Sequence, residues 1–165
     1  MTRVGITGHQ RLPDEATWSW VMEAMGEILA GLAAPLVGVS SLAVGADQRF
    51  AGQILELGGR LEVVLPFGGY RERLAEGDER TTYGRLLERA ALISVLPRAG
   101  RSDEEAYLHA GQEVVARCSV LLAVWDEAPA AGPGGTADVV AHARKLGRAL
   151  VVVNPSTRMV TRATS

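Results

Sequence analysis

The stretch Gly132-Pro-Gly-Gly-Thr-Ala-Asp138 sets a glycine-rich turn ahead of a helix start, just beyond the uncharged run Val120-Leu-Leu-Ala-Val-Trp125 that closes on Asp126. Gly132, Gly134 and Gly135 let backbone N–H groups approach a ligand with no Cβ in the way. Thr136 is placed to cap the helix, whose first amides then receive an anion such as a phosphate. Two further glycines have the same setting: Gly8, followed by His9 and Arg11, and Gly45, followed by Ala46 and Asp47. Each hydrogen bond from an amide to an ionised phosphate is worth roughly 1.5–3 kcal/mol, so two or three hold a nucleotide without a lysine cluster. Asp47 and Asp126 would repel phosphate and suit ribose hydroxyls or a polarised water; Asp47 reads equally well as a first-turn acid of its helix. His9 has a ligand-facing place in the order of the chain, although a lone histidine more often caps or packs. Were the chain to turn its ligand over, Asp126, Asp138 or an acid of a lid are the candidates for stabilising an oxocarbenium-like state or activating water.

These residues need a scaffold that brings distant turns to one rim. Val120 to Trp125 suits a parallel strand covered on both faces, where apolar and polar residues no longer alternate. Arg3 to Thr7, Leu36 to Ser41, Leu61 to Leu65, Ala91 to Leu96 and Ala149 to Val153 complete the set of expected strands. Between the first two, Trp18, Val21, Met22, Met25, Ile28, Leu29 and Leu32 recur at helical spacing and make one apolar stripe. Phe50, Ile54 and Leu57 do the same for a second helix that stops at Gly58-Gly59. Ser102 with Glu105 is a capping box, and Tyr107, Ala110, Val114 and Val115 give the buried face of the helix it opens. The last helix carries Val139, Val140, Ala143 and Leu146 and stops at Gly147. Strands alternating with helices predict right-handed crossovers and a parallel sheet, with ligands beyond the carboxyl ends of its strands.

Pro66 to Arg101 departs from this alternation and carries charge of both signs. It reads first as a solvated helical face with surface ion pairs of little worth. A functional reading makes it a lid, closing Tyr70 or Arg71 over the ligand. Ser156 to Ser165 lacks periodicity and is expected to form a flexible tail, with residues 1–155 as one domain.

Seventeen basic against nineteen acidic residues, a net charge of −2, supply no global field for gripping nucleic acid or an anionic membrane. Cys118 stands alone, which excludes an intramolecular disulfide and suits a small buried residue in a reducing cytoplasm. Pro35, Gly38 and Ser40-Ser41 interrupt the one uncharged stretch long enough to raise the question of a membrane span. The chain opens directly on a strand without an export signal, so the expected place is the cytoplasm. Gly5 and Gly8 lack the further glycines of the dinucleotide fingerprint, and there is no Gly-Lys-Ser/Thr phosphate loop. No motif calls for a cofactor or a metal.

Taken together, Ile6-Thr-Gly-His-Gln10, Ser41-Leu-Ala-Val-Gly-Ala-Asp47, Leu121-Leu-Ala-Val-Trp-Asp126 and Gly132-Pro-Gly-Gly-Thr-Ala-Asp138 resemble the SLOG superfamily of Rossmann-like proteins over nearly the whole chain. The order of elements is most similar to the small YpsA-like proteins and the Rossmann domain of DNA-processing protein A, and more distantly to the LOG phosphoribohydrolases. The resemblance implies an α/β fold, a Rossmann-like three-layer sandwich with a mainly parallel sheet and helices on both faces. It also implies a pocket for a nucleotide-like small molecule, with the phosphate near Gly134, Gly135 and Thr136, and a homo-oligomer. Two departures stand out. Val139 occupies the place of the LOG glutamate, and His109-Ala-Gly-Gln-Glu113 stands where DNA-processing protein A has an Arg-Asn-Arg run. The reading is therefore a nucleotide-binding protein first, an N-glycosidase acting on a nucleoside monophosphate second and a single-stranded DNA binder last, with nucleic acid not expected as a partner.

Overall fold

A computed structural model describes residues 1–130 and 135–164. The order of elements is β1 (Thr2–Gly8), α1 (Glu15–Ala30), β2 (Leu36–Ser40), α2 (Ala46–Glu56), β3 (Arg60–Leu65), a 3-10 turn (Tyr70–Arg73), α3 (Asp78–Glu88), β4 (Leu92–Val95), α4 (Asp103–Ala116), β5 (Val120–Val124), α5 (Thr136–Lys145), β6 (Ala149–Asn154) and β7 (Met159–Ala163). The strands form one sheet in the order β4-β3-β2-β1-β5-β6-β7, parallel except for the last pair. Winding runs outward from β1 to β4, then returns across the sheet to place β5 on the other side of β1. The β1/β5 junction is the topological switch point, the position where such sheets open a crevice.

Alternate residues of each strand feed two cores. On one face Val4, Ile6, Leu122, Val124 and Val151 meet Trp18, Met25 and Ile28 of α1 and Phe50 and Ile54 of α2, and farther along Leu61, Val63 and Leu65 pack with Tyr83 and Leu86 of α3. On the other, Leu121, Ala123, Leu150 and Val152 meet Val115 of α4 and Val139, Val140 and Ala143 of α5. The result is a three-layer, Rossmann-like α/β sandwich, as the alternation of elements predicts. Cys118 sits at the join of α4 and β5, buried, its thiol pushed up to about 11 by desolvation. Gly5 explains how closely α4 lies on the sheet: a Cβ there would stand 2.9 Å from both Val114 Cγ1 and Cys118 Sγ. Among the described residues no helix is long and apolar enough to cross a membrane.

Local chemistry sets the helix starts. Asp14 caps α1, its carboxylate accepting from the Thr17 amide at 2.8 Å, and Ser102 caps α4 through the Glu105 amide at 3.2 Å, as the capping box predicts. Leu57, expected on the buried stripe, terminates α2 and is exposed. The expectation of a flexible tail from Ser156 is corrected: Met159–Ala163 pairs antiparallel with β6. Asn154 builds the turn, its side-chain oxygen accepting from the Ser156 and Thr157 amides. Every residue of β7 is exposed, so its order comes from backbone hydrogen bonds and leaves no hydrophobic pattern to read.

At the amino end of the sheet Arg3 reaches across to β3. Its guanidinium donates to both Glu62 oxygens, and its Nε donates to the Arg117 carbonyl at 2.6 Å. This pairing holds the Glu62 carboxyl below its ordinary range. Glu62 is 13% exposed and Arg3 31%. Replacing Arg3 by alanine is expected to cost about 2 kcal/mol in urea unfolding, less than a fully buried pair because Arg3 keeps contact with water. Arg3→Lys, which lacks the planar fork, should recover less than half of that loss.

Candidate functional site

The carboxyl ends of β1, β2, β3 and β5 open on one cavity of about 700 Å³. Ile6 to Arg11 form its floor on the β1 side, and Ser41, Ala43, Val44 and Asp47 contribute the β2–α2 turn. Pro66, Tyr70, Arg73 and Leu74 close one end with Tyr107 of α4. Trp125, Asp126 and Ala128 to Ala130 follow β5, and Gly135, Thr136 and Ala137 bring in the start of α5. Of the residues singled out from the sequence, Gly8, His9, Arg11, Asp47, Tyr70, Asp126, Gly135 and Thr136 therefore share one wall. Gly132 and Gly134 lie outside the described residues.

Four of the sequence candidates are placed elsewhere. Gly45 has φ +88°, and a Cβ on it would stand 2.6 Å from Gln10 Cα and 2.7 Å from Gln10 C, so its missing side chain admits the protein's own β1–α1 turn. The Ala46 amide donates to the His9 carbonyl at 3.2 Å. Asp138 is off the cavity wall, with its amide turned to the Gly135 carbonyl. Arg71 is exposed and does not reach the cavity. Tyr70 is buried in an aromatic cluster, its ring centroid 6.0–6.1 Å from those of Phe67, Tyr83 and Tyr107. Thr136 is the first residue of α5 and makes no cap; Gly135 holds the N-cap place.

The two carboxylates differ in circumstance. Asp47 is buried in the first turn of α2, where one carboxyl oxygen accepts from the Ala43 amide at 3.3 Å. Burial raises its pKa to about 7, against the downward pull of amides from Ala43 and Ser41. This is the first-turn acid of the sequence analysis, fastening the Ser41–Gly45 turn to its helix. Asp126 is 36% exposed at the switch point. Its Oδ1 accepts from the Ala128 amide at 3.0 Å and lies 3.2 Å from His9 Nε2, while its own amide donates to that same nitrogen at 3.1 Å. Gly8, just before His9, and Val124, two residues before Asp126, are register partners in adjacent strands.

Cations around the cavity are matched by neighbours. Arg11 pairs with Glu79 at 2.6 Å, and Arg73 and Arg98 both pair with Asp103. Arg73 and then Arg98 hold the Asp103 carboxyl below its usual range. The Arg98 guanidinium also lies 4.3 Å above the Phe67 ring, which stacks with Tyr107 as well. Arg73, Glu79, Tyr107, Trp125 and Ser41 were not predicted as site residues. Trp125 and Ser41 were legible by position at strand ends; Tyr107 was hidden in a helical stripe that reads as core.

No protein-family model matches the chain, and neither does any curated protein. Solved structures do. DNA processing protein A from Helicobacter pylori, a single-stranded DNA binder, matches with TM-score 0.67 at 16% identity over 92% of this chain and 64% of its own. The protein of that name from Streptococcus pneumoniae gives 0.66 at 16% identity over 92% and 50%. The molybdenum cofactor carrier protein from Chlamydomonas reinhardtii gives 0.51 at 20% identity over 92% and 75%. This chain thus spans about half to two thirds of the DNA processing proteins. At such identities what is shared is the architecture, and the chain takes its place among Rossmann-like α/β proteins.

Proposed function

We propose that the chain is a SLOG-type cytoplasmic protein that binds a nucleotide or nucleotide-derived small molecule in the switch-point cavity. One observation carries this reading: a single cavity joins the first turn of α5 at one end to Tyr70 and Tyr107 at the other. The Thr136 and Ala137 amides, first in their helix, have no intrahelical acceptor and suit a phosphate. From β5 to β3 the rim crosses three strand spacings, roughly 14 Å, comparable with an extended mononucleotide. Aromatic rings at the far end suit a base.

Calorimetric titration with nucleoside 5′-monophosphates tests the reading. Gly135→Asp is the informative variant: Gly135 has φ −72° and ψ 165°, which aspartate adopts freely, and its carboxylate would cap the same amides that the phosphate needs. Affinity is expected to fall at least tenfold with no loss of melting temperature. Unchanged affinity would remove the phosphate from α5. The exposed apolar residues of the two edge strands, Leu92, Ile93 and Val95 of β4 and Met159 and Val160 of β7, support self-association, and light scattering is expected to return a mass above that of one chain.

The enzymatic alternative, hydrolysis of an N-glycosidic bond, has Asp126 and Glu79 of the charged segment at the cavity as candidate acids, while Asp138 is off its wall. Release of free base from the same monophosphates would establish it. The DNA reading draws on the likeness to DNA processing protein A, whose Helicobacter pylori form binds single-stranded DNA. On the cavity wall Arg11 and Arg73 are engaged by Glu79 and Asp103 and are not free to grip a polyanion. Retention of labelled oligonucleotide falling steeply with salt would revive it.

A further inference from the structure

From the pairing of His9 and Asp126 we infer that the site selects ribonucleotides over deoxyribonucleotides, reading the ribose diol at the β1/β5 switch point. The inference rests on the nucleotide-binding reading above. Of the three carboxylates on the cavity wall, Glu79 is paired with Arg11, and Asp47 is buried and engaged by the backbone of its own turn, so neither has a free edge to offer. Asp126 does. Its Oδ1 is held by the Ala128 amide, which fixes the plane of the carboxylate, and among the described residues Oδ2 has no partner.

Beside it, His9 Nε2 accepts the Asp126 amide proton at 3.1 Å and lies 3.2 Å from Asp126 Oδ1; in the neutral ring with its lone pair toward that amide, the proton is on Nδ1. Among the described residues Nδ1 has no acceptor, and the side chain is 29% exposed at the cavity wall. The junction therefore presents a carboxylate acceptor and an imidazole N–H donor from adjoining strands. A hydroxyl pair, each member both donor and acceptor, satisfies the two together. A second phosphate would meet the Asp126 charge and a purely apolar group would strand both. The position fits as well: the diol of a mononucleotide falls between its phosphate, at the α5 end, and its base, at the Tyr70 and Tyr107 end.

The test is a binding panel of adenosine, guanosine, cytidine and uridine 5′-monophosphates against their 2′-deoxy counterparts, read by calorimetry on the full chain. The best-bound ribonucleotide should exceed its 2′-deoxy form roughly 10- to 100-fold, the loss of one hydrogen bond to a charged acceptor. Asp126→Asn should shrink that ratio to within about threefold. Equal binding of ribo and deoxy forms by the wild type overturns the inference and leaves nucleotide binding standing. Binding of neither overturns both. A ribonucleotide preference that survives Asp126→Asn moves the diol elsewhere and overturns the assignment; should that variant fail to fold, the wild-type ratio still decides for or against diol selection.

Discussion

Replacing Gly45 by alanine is expected to lower the stability of the fold by about 4 kcal/mol, a fall in melting temperature of roughly 8–16 °C for a domain of this size. Two costs combine. Gly45 has φ +88° and ψ −121°, a conformation that costs a residue with a Cβ about 1–3 kcal/mol. The added carbon would also press on the Gln10 backbone, which cannot swing aside as a side chain can. Gly38 makes the contrast: a Cβ there would stand 2.6 Å from Ile54 Cγ1, the movable part of a side chain, and its backbone is ordinary strand. Gly38→Ala should therefore cost about half as much. Because Gln10 and Arg11 line the cavity, Gly45→Ala should weaken ligand binding as well, although the glycine itself never faces the ligand. A thermal melt of the two variants side by side checks the order; equal losses would mean that the β1–α1 turn yields.

Gly45 also shows where the sequence ceases to be legible. A glycine after a strand announces a close approach, and the structure has one, but composition cannot say whether the approaching atoms belong to a ligand or to the chain. Gly135 and Gly45 look alike in the sequence. One opens on the cavity as an N-cap; the other makes room for Gln10. Periodic burial was far more informative. The stripe of Trp18, Val21, Met25, Ile28 and Leu29 and the uncharged run of β5 place α1 and the central strand correctly, because burying apolar area against a sheet leaves a period in the chain. β7 leaves none, since it buries no side chain. Tyr70 lay in a segment whose charge pattern suggested a solvated helical face; its three aromatic neighbours come from Pro66–Tyr83 and from α4, too far apart in the chain for any local pattern to disclose.

The protein is expected to lose stability as pH rises from 4 to 8, and Asp47 is the cause. Its carboxyl sits in the first turn of α2, where the helix dipole and the amides of Ala43 and Ser41 favour the anion, yet burial outweighs them and lifts the pKa from 3.8 to about 7. Below 3.8 folded and unfolded chains are both protonated and the group is neutral to stability. Between 4 and 7 the folded chain alone holds the proton, so unfolding releases it and stability falls as pH rises; above 7 the whole penalty applies, at most about 4 kcal/mol. Glu62 and Asp103 run the other way: their depressed values contribute stability above the unfolded pKa that is lost as pH falls through the folded one. The opposing slopes put the optimum at roughly pH 4–5. Asp47→Asn keeps an oxygen for the Ala43 amide and cannot ionise. Urea midpoints for wild type and variant should therefore coincide near pH 4 and separate by pH 8, with the variant the more stable. Parallel curves across that range would mean that Asp47 stays ionised in the fold, its charge carried by the Ser41–Gly45 turn after all, and adds to the negative charge of the cavity wall.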